Sequence, residues 1–235
     1  MELEGKVVVV TGAARRVGRA IAKELGQAGA SVVVHYHRSS EEATKVVATL
    51  PRSVAVQADL SDLEGCRVLI DAVRSRHRKL DILVNSAARY SRSPFAYEKD
   101  ETWQELFALN LMAPARLIRM ALPLGLSSVI NIVDVAAEKP WKHHAAYAAT
   151  KAGLLQLTKN LALELAPAVR VNAVAPGTVV FPEDFSPSER AAVVERIPLG
   201  RIGAPTDVAR AVRYLSQEEF LTGTVISVDG GAGLK

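Results

Sequence analysis

The sequence has little cysteine and no long apolar run. Its single cysteine, Cys66, excludes a disulfide framework and a cysteine-based metal cluster, which fits a reducing compartment. No apolar stretch approaches the roughly 20 residues that span a bilayer. The opening MELEGKVVVVTG has no basic segment before its short apolar run, so we interpret it as a first strand and not as a signal peptide. We therefore expect a cytoplasmic protein without a membrane partner.

A strong charge of one sign is lacking as well. With 29 Lys and Arg against 25 Asp and Glu, the net charge is only +4 and the basic residues are dispersed. The densest basic run, RSRHRK at 74–79, lacks interleaved aromatic residues and is interpreted as a solvated helix end, so no nucleic-acid partner is expected. His143 and His144 are neighbours that point apart on an expected helix, so no metal site is predicted.

The chain does have a regular alternation of two patterns. Its 235 residues are 49% hydrophobic, which is ordinary for one large α/β domain. Short β-branched runs alternate with segments of helical spacing, and these runs lie at 6–10, 31–36, 53–59, 80–85, 128–134, 169–176 and 224–231. Nearly all-apolar strands joined by helices predict a single domain over 1–235, with a Rossmann-like, doubly wound parallel sheet of about seven strands. Segment 178–200, which has three prolines, departs from this rhythm and is expected to be a substrate loop.

A glycine-containing turn, TGAARRVG, lies between the first expected strand and an amphipathic helix. Gly12 permits the turn, and Gly18 lets the helix pack closely on the sheet. The N–H groups of the helix start, near Arg16 and Val17, suit a pyrophosphate, so this turn predicts a dinucleotide site. Two alternatives stay open: both glycines could serve only turn and packing, and Arg16 could be a surface residue.

The end of the second expected strand, VVVHYHRSS, determines the cofactor. It lacks the acidic residue that usually holds the ribose hydroxyls of NAD. Arg38 and Ser39, helped by His37, could instead hold a 2′-phosphate through charge-assisted hydrogen bonds, which predicts NADP(H). A solvated loop arginine is the alternative for Arg38.

Asp59, followed by Leu60, closes the third expected strand, at the sheet edge where ligands bind. We expect these two residues beside the adenine of the cofactor, with Asp59 accepting from its amine. The alternative is that Asp59 caps the following helix, although Ser61 or Asp62 could do this equally well.

Tyr147 and Lys151 stand at i and i+4 and so share one face of an expected helix. An unperturbed phenol, with a pKa of about 10, transfers protons poorly at neutral pH. A nearby ammonium favours the phenolate, so we expect Lys151 to lower the pKa of Tyr147 toward the working range. Asp134 lies thirteen residues before Tyr147, at the end of an expected strand.

These motifs, in this order, resemble the short-chain dehydrogenase/reductase family over essentially the whole chain. TGAARRVG, NSAA at 85–88, YAATK, APG at 175–177 and VDGG at 228–231 are similar to its characteristic motifs. The resemblance implies hydride transfer from a nicotinamide, and often a homotetramer. It implies that Tyr147 is the proton donor, Lys151 its modulator and cofactor anchor, and Asn110 a water-holding relay residue. It also places a further set beside the cofactor: Asn85, Ser86, Ala87, Pro176 and Gly177.

Departures from the common pattern are similar to the pteridine reductase branch of that family. Arg16 replaces a glycine of the turn, Ser86 replaces the second Asn of NNAG, and Asp134 stands where most members have a serine. In that branch the Asp and Tyr serve proton transfer, and the turn arginine lies near the substrate. Tyr90 occupies the place of an aromatic residue, usually Phe, that stacks on the pterin.

The expected reaction follows from Asp134. A carboxylate would repel the alkoxide that develops from a ketone, whereas it can accept from the N–H donors of a pterin ring. We therefore expect an NADPH-dependent enzyme that reduces a C=N bond of a pterin or folate, with substrate contacts from Arg16, Tyr90, Asp134 and Tyr147. The alternatives are a carbonyl reductase, for example of a 3-oxoacyl thioester, with Asp134 only capping a loop and Tyr90 only exposed, or a non-catalytic NADP(H) sensor.

Overall fold

The structure, a computed structural model, describes residues 1–182 and 185–234. Within these residues a seven-stranded parallel sheet has the order β3-β2-β1-β4-β5-β6-β7, which confirms the expected doubly wound fold. The strands are β1 Val7–Val10, β2 Ser31–Tyr36, β3 Val54–Gln57, β4 Ile82–Asn85, β5 Ser128–Ile132, β6 Arg170–Pro176 and β7 Val225–Val228.

Helices cover both faces of the sheet. In the described ranges they are α1 Arg16–Gln27, α2 Ser40–Val47, α3 Leu63–His77, α4 Asp100–Phe107, α5 Ala113–Ala121, α6 Ala145–Glu164, α7 Pro187–Glu195 and α8 Pro205–Gln217. Alternate residues of β1 show why both are needed: Val8 and Val10 pack with α1 and α8, and Val7 and Val9 pack with α3 and α5. Because successive side chains of a strand point to opposite faces, an all-valine strand is stable only between two helical layers.

The strand order reverses beside β1. The chain passes from β1 to β2 and β3 on one side, then returns to β4 on the other. The loops that follow β1 and β4 therefore diverge at the carboxyl edge and leave a crevice, where open α/β sheets bind their ligands. This topology places the TGAARRVG turn and segment 85–88 next to each other.

One expectation about apolar runs needs correction. The continuous helical run Asp100–Leu124 is long and apolar enough to cross a membrane by length and composition. The sequence reading missed it because the apolar residues follow an acidic first turn and are interrupted by arginines. In the fold this run packs as a core helix, with Leu106, Leu117 and Ile118 buried.

Candidate active site

The turn after β1 is held tightly against the segment after β4. Gly12 has a positive φ of 64°, and a Cβ there would lie 2.9 Å from the Cα of Ala87. Thr11 Oγ1 accepts hydrogen bonds from the N–H groups of Ser86 and Ala87, each at 2.9 Å. A Cβ on Gly18 would lie 2.2 Å from the carbonyl oxygen of Gly12. Both glycines are thus required by packing, as the sequence indicated.

The first turn of α1 points into the same crevice. Its N-cap, Arg15, makes no side-chain capping hydrogen bond within the described part of the chain. Such a helix start fits a pyrophosphate, since free N–H groups and the positive dipole end both favour an anion. Arg16 has a left-handed φ of 48° and lines the large cavity beside the turn. The turn therefore suits the phosphates of the predicted cofactor.

His35 braces this turn from below, a role that the sequence did not reveal. The ring is only 3% exposed. Its Nδ1 accepts from the N–H of Gly12 at 3.0 Å, so its Nε2 carries the proton and donates to the carbonyl oxygen of Ala58 at 3.1 Å. Burial lowers the pKa of His35 to about 4, which keeps the ring neutral. The available signal in the sequence was the position of His35 within a largely apolar strand, which indicates a buried side chain.

This neutral ring predicts a loss of stability in mild acid. The unfolded chain protonates His35 below about pH 6.5, whereas the folded chain resists until its pKa of about 4. Stability is therefore lost as the pH falls between these values, by about 3 kcal/mol in full. Urea unfolding at pH 7 and pH 4.5 should show this slope, and His35→Asn should be less stable at pH 7 and show a smaller slope. An unchanged slope in the variant would contradict the assignment.

The residues that were expected to select the cofactor lie at the end of β2. His37 and Arg38 are exposed, and Ser39 immediately precedes α2. The Nε2 of His37 lies 3.5 Å from Asp59 Oδ2, and Arg38 helps to lower the pKa of Asp59, after the hydrogen bonds of Ser61. These side chains form one polar rim beside the crevice.

Asp59 and Leu60, the two residues expected beside the adenine, follow β3 and have different surroundings. Asp59 accepts from the N–H of Ser61 at 3.0 Å, whereas Asp62 caps α3 by accepting from the N–H of Gly65 at 2.7 Å. The alternative that Asp59 caps this helix is therefore wrong. Leu60 is only 2% exposed and packs in the core, so only its backbone could meet a cofactor.

Arg38→Ala should raise KM for NADPH much more than KM for NADH. Charge-assisted hydrogen bonds to a 2′-phosphate are worth about 1.5–3 kcal/mol, or about 10- to 100-fold. Initial rates with both cofactors test this, with Arg76→Ala as the control because Arg76 is an exposed arginine near the end of α3. Equal effects on both cofactors would remove Arg38 from the 2′-phosphate site.

The reacting side chains meet at the start of α6. Tyr147 donates to Asp134 Oδ2 at 2.9 Å, and Asp134 Oδ1 accepts from the N–H of Ala136 at 2.8 Å. Asp134 therefore caps the short turn Val135–Ala137 and also contacts Tyr147. The two contacts coexist, and the expected part of Asp134 in the chemistry stays a prediction.

The expected lowering of the Tyr147 pKa is wrong. Burial raises the pKa of Tyr147 well above its usual value, and the negative charge and hydrogen bond of Asp134 raise it further. Lys151 Nζ lies 5.8 Å from the centre of the phenol ring and donates instead to the carbonyl oxygen of Ile132 at 2.8 Å. Burial lowers the pKa of Lys151 to about 8. Tyr147 therefore keeps its proton at neutral pH.

Asn110 lies in a π-helical turn, Ala108–Met112, between α4 and α5. Its side chain accepts from the N–H of Arg89 at 2.8 Å and donates to the Arg89 carbonyl at 2.9 Å and to Thr150 Oγ1 at 3.1 Å. These bonds tie the loop after β4 to α6. The structure thus gives the Asn110 side chain a structural role, and its expected role as a water relay stays a prediction.

Asn85 and the 176–177 pair flank the crevice. Asn85 donates to Asn131 Oδ1 at 2.8 Å, while its own Oδ1 lacks a hydrogen-bond partner among the described residues. A buried acceptor of this kind fits a ligand that brings a donor. Pro176 ends β6, and Gly177 lines the cavity. A Cβ at Gly177 would lie 2.8 Å from Asp229 Cβ, so a larger residue does not fit there without a shift.

A cavity of about 610 Å³ opens between the loops that follow β4 and β5 and the segment after β6. Arg16, Tyr90 and Asp134, three of the residues predicted to contact the substrate, line it. Tyr147, the fourth residue predicted to contact the substrate, is not among the described lining residues and reaches the cavity through its hydrogen bond to Asp134. Most of the other walls of the cavity are apolar: Val135, Ala136, Trp141, Val180, Val193 and Ile197.

Segment 178–200 forms one wall of that cavity, apart from two of its residues that lie outside the described part of the chain. Its helix α7 begins with a capping box between Ser186 and Glu189. Glu189 also accepts from Arg92 at 3.1 Å, and the Arg92 guanidinium lies 5.5 Å from the ring centre of Phe185. These contacts join the segment to the loop after β4.

The fold and these contacts are those of a dinucleotide-dependent oxidoreductase, with Tyr147 and the glycine-containing turn at one sheet edge. The sequence profile of the family described as enoyl-(acyl carrier protein) reductase matches residues 12–233. The chain belongs to the short-chain dehydrogenase/reductase family, as the motifs predicted.

Relatives with described activities are similar over nearly their whole length. The 3beta-hydroxysteroid dehydrogenase 1 of Eggerthella lenta is 39% identical over 99% of this chain and 95% of its own. The 3-oxoacyl-(acyl-carrier-protein) reductase FabG of Staphylococcus aureus is 35% identical over 96% of this chain and 97% of its own. The solved structure of the angucycline C-6 ketoreductase LanV with bound NADP has a TM-score of 0.93 at 28% identity and covers 100% of this chain and 98% of that one. None of these three names refers to a pterin.

Proposed function

We propose that this protein is an NADP(H)-dependent reductase of a ketone carried by a largely apolar molecule, such as a 3-oxoacyl thioester or a polycyclic ketone. The observation that carries the proposal is a wide cavity with mostly aliphatic walls, lined by Asp134, which accepts a hydrogen bond from the Tyr147 hydroxyl. A pterin is rich in heteroatoms and needs several polar partners, which such walls supply poorly. The described relatives, named for a hydroxysteroid, a 3-oxoacyl group and a ketone, support the same proposal.

The chain's own residues account for the proton. Tyr147 gives its proton to the ketone oxygen as negative charge develops there. Lys151, held behind the ring by the Ile132 carbonyl, stabilises the phenolate that remains. NADPH, when bound, supplies the hydride, and the fit of the phosphate turn and the exposed Arg38 supports this cofactor.

Asp134 can take part in ketone reduction when it is protonated. Burial raises the pKa of Asp134, partly offset by its bonds from Ala136 and Tyr147. In the ionised form, the Tyr147 hydrogen points at Asp134. In the protonated form, Asp134 can donate to the Tyr147 oxygen, which frees the Tyr147 hydrogen for the substrate and removes the repulsion of a developing alkoxide.

A pH and substitution series tests this arrangement. Ketone reduction should slow as the pH rises through the pKa of Asp134, which lies above its usual value. Asp134→Asn should remove that dependence, and Asp134→Ser, which restores a neutral hydroxyl, should raise kcat/KM for a ketone at pH 8 by about 10-fold. A loss of about 10-fold or more in the Ser variant would contradict the proposal.

Pterin or folate reduction is the second candidate, and one observation favours it: Asp134 brings a carboxylate into the cavity, as a nitrogen heterocycle would need. NADPH consumption with a 3-oxoacyl thioester, a 3-oxosteroid and dihydrobiopterin, offered side by side, separates the two candidates. We expect oxidation with a ketone and little with the pterin. Fast oxidation with dihydrobiopterin alone would reverse the order. No oxidation with any substrate would favour the NADP(H) sensor.

The cytoplasmic location and the homotetramer stay predictions. The same holds for the expectation of neither a nucleic-acid nor a membrane partner.

A further inference from the structure

We propose that His144 is a positioning residue of this site, which holds the Tyr90 ring against Tyr147 and so fixes the cavity wall beside the ketone. The inference rests on the proposed reductase activity. It concerns a residue that is separate from the proton donor and from the cofactor-binding turn.

The hydrogen-bond geometry of His144 assigns a role to each ring nitrogen. His144 is the N-cap residue of α6 and is only 2% exposed. Its Nδ1 lies 2.7 Å from the carbonyl oxygen of Lys142, which can only accept, so Nδ1 carries the proton. Burial lowers the pKa of His144, so the ring is neutral at pH 7 and Nε2 is a bare acceptor. Tyr90 therefore donates its hydroxyl hydrogen to Nε2, at 2.6 Å.

Ring contacts hold this pair in one orientation. Trp141 stacks on His144, with the ring centres 3.9 Å apart and the planes 12° apart. The Tyr90 ring meets Tyr147 edge-on, with a centre distance of 5.3 Å and an angle of 70°. Trp141 and the Lys142 carbonyl thus fix the orientation of the His144 ring. Through the hydrogen bond at Nε2, this ring in turn fixes the orientation of Tyr90.

Tyr90 has two independent anchors. Asn110 fixes the loop backbone at the preceding residue, Arg89. His144 fixes the tip of the Tyr90 side chain, which is otherwise 40% exposed and lines the cavity. Loss of the His144 contact should loosen the ring against Tyr147, while Asn110 keeps the loop in place. The substrate would then lose a wall, which weakens binding more than it slows proton transfer.

A double-mutant cycle tests the proposal. Tyr90→Phe and His144→Phe should each raise KM for the ketone about 5-fold, with kcat changed less than about 2-fold. Because both changes break one contact, the double variant should resemble each single variant. His144→Gln, whose amide oxygen can accept near the position of Nε2, should restore KM to within about 2-fold. His143→Asn is the matched control at the neighbouring histidine and should leave KM unchanged.

Additive effects of about 25-fold in the double variant would overturn the proposal, because His144 would then act independently of Tyr90. A His144→Phe variant with normal KM would overturn it as well. Melting temperatures of all the variants show whether a loss of folding contributes to the change in KM. Tyr90→Phe should affect folding least, because its ring remains.

Nitrogen NMR of the labelled protein gives a readout that does not need turnover. His144, assigned by comparison with His144→Gln, should show a protonated Nδ1 and a bare Nε2 whose resonance shifts in Tyr90→Phe. If no ketone is reduced, the proposed function fails, while this shift still decides the contact. A protonated Nε2, or no shift in Tyr90→Phe, would overturn the inference.

Discussion

Tyr147→Phe is expected to lower kcat for ketone reduction by about 1,000-fold or more while the protein stays folded and binds NADPH. The variant keeps the ring, which is only 7% exposed and packs against the edge of Tyr90. It removes one hydroxyl, the group that donates to Asp134 at 2.9 Å. The lost hydrogen bond should cost only about 1 kcal/mol of stability, since Asp134 can become protonated in its place.

Steady-state kinetics and NADPH binding by fluorescence measure this prediction. Tyr214→Phe is the matched control, because it makes the same chemical change on an exposed residue of α8. A kcat within about tenfold of the unmodified enzyme would remove Tyr147 from the mechanism. A loss of NADPH binding together with activity would instead make its role structural.

Gly18→Ala is expected to disable the cofactor site through the backbone. The added Cβ would lie 2.2 Å from the carbonyl oxygen of Gly12 and 3.1 Å from the Cα of Ala13. The peptide group between Gly12 and Ala13 donates its N–H to the carbonyl oxygen of His35 at 2.8 Å, so it cannot move away as a side chain could. The turn must therefore open, at a cost of about 3 kcal/mol or more in stability. We expect NADPH affinity to fall by about 100-fold, because the N–H groups of α1 leave their common focus.

Gly26→Ala is a matched control on the same helix. Its Cβ would meet only the methyl groups of Leu50, at 2.9 and 3.1 Å, and these can rotate. Thermal unfolding and NADPH titration of the two variants should therefore differ widely. Similar behaviour of both would show that the Gly12–Gly18 contact does not shape the phosphate turn.

The order of the elements could be predicted from the sequence because it depends on local patterns. The valine runs and the helical spacing gave the seven strands and most of the helices, within a few residues of their bounds. The sequence motifs also assigned the turn at Gly12 and the pair of Tyr147 and Lys151 to one cofactor-dependent site. The substrate could not be predicted from Asp134 in the same way. An ionised Asp134 repels the alkoxide that develops from a ketone, whereas a protonated Asp134 does not, and the sequence does not show which form is present.

The sequence by itself determined the fold and the family and predicted Tyr147 as the proton donor, because each depends on spacing along the chain. Only the tertiary structure decided the protonation of Tyr147, since burial and Asp134 raise its pKa. It also decided the roles of His35 and His144, whose partners Gly12 and Tyr90 are 23 and 54 residues away. Such contacts depend on strand register and loop packing, and no local pattern along the chain encodes them.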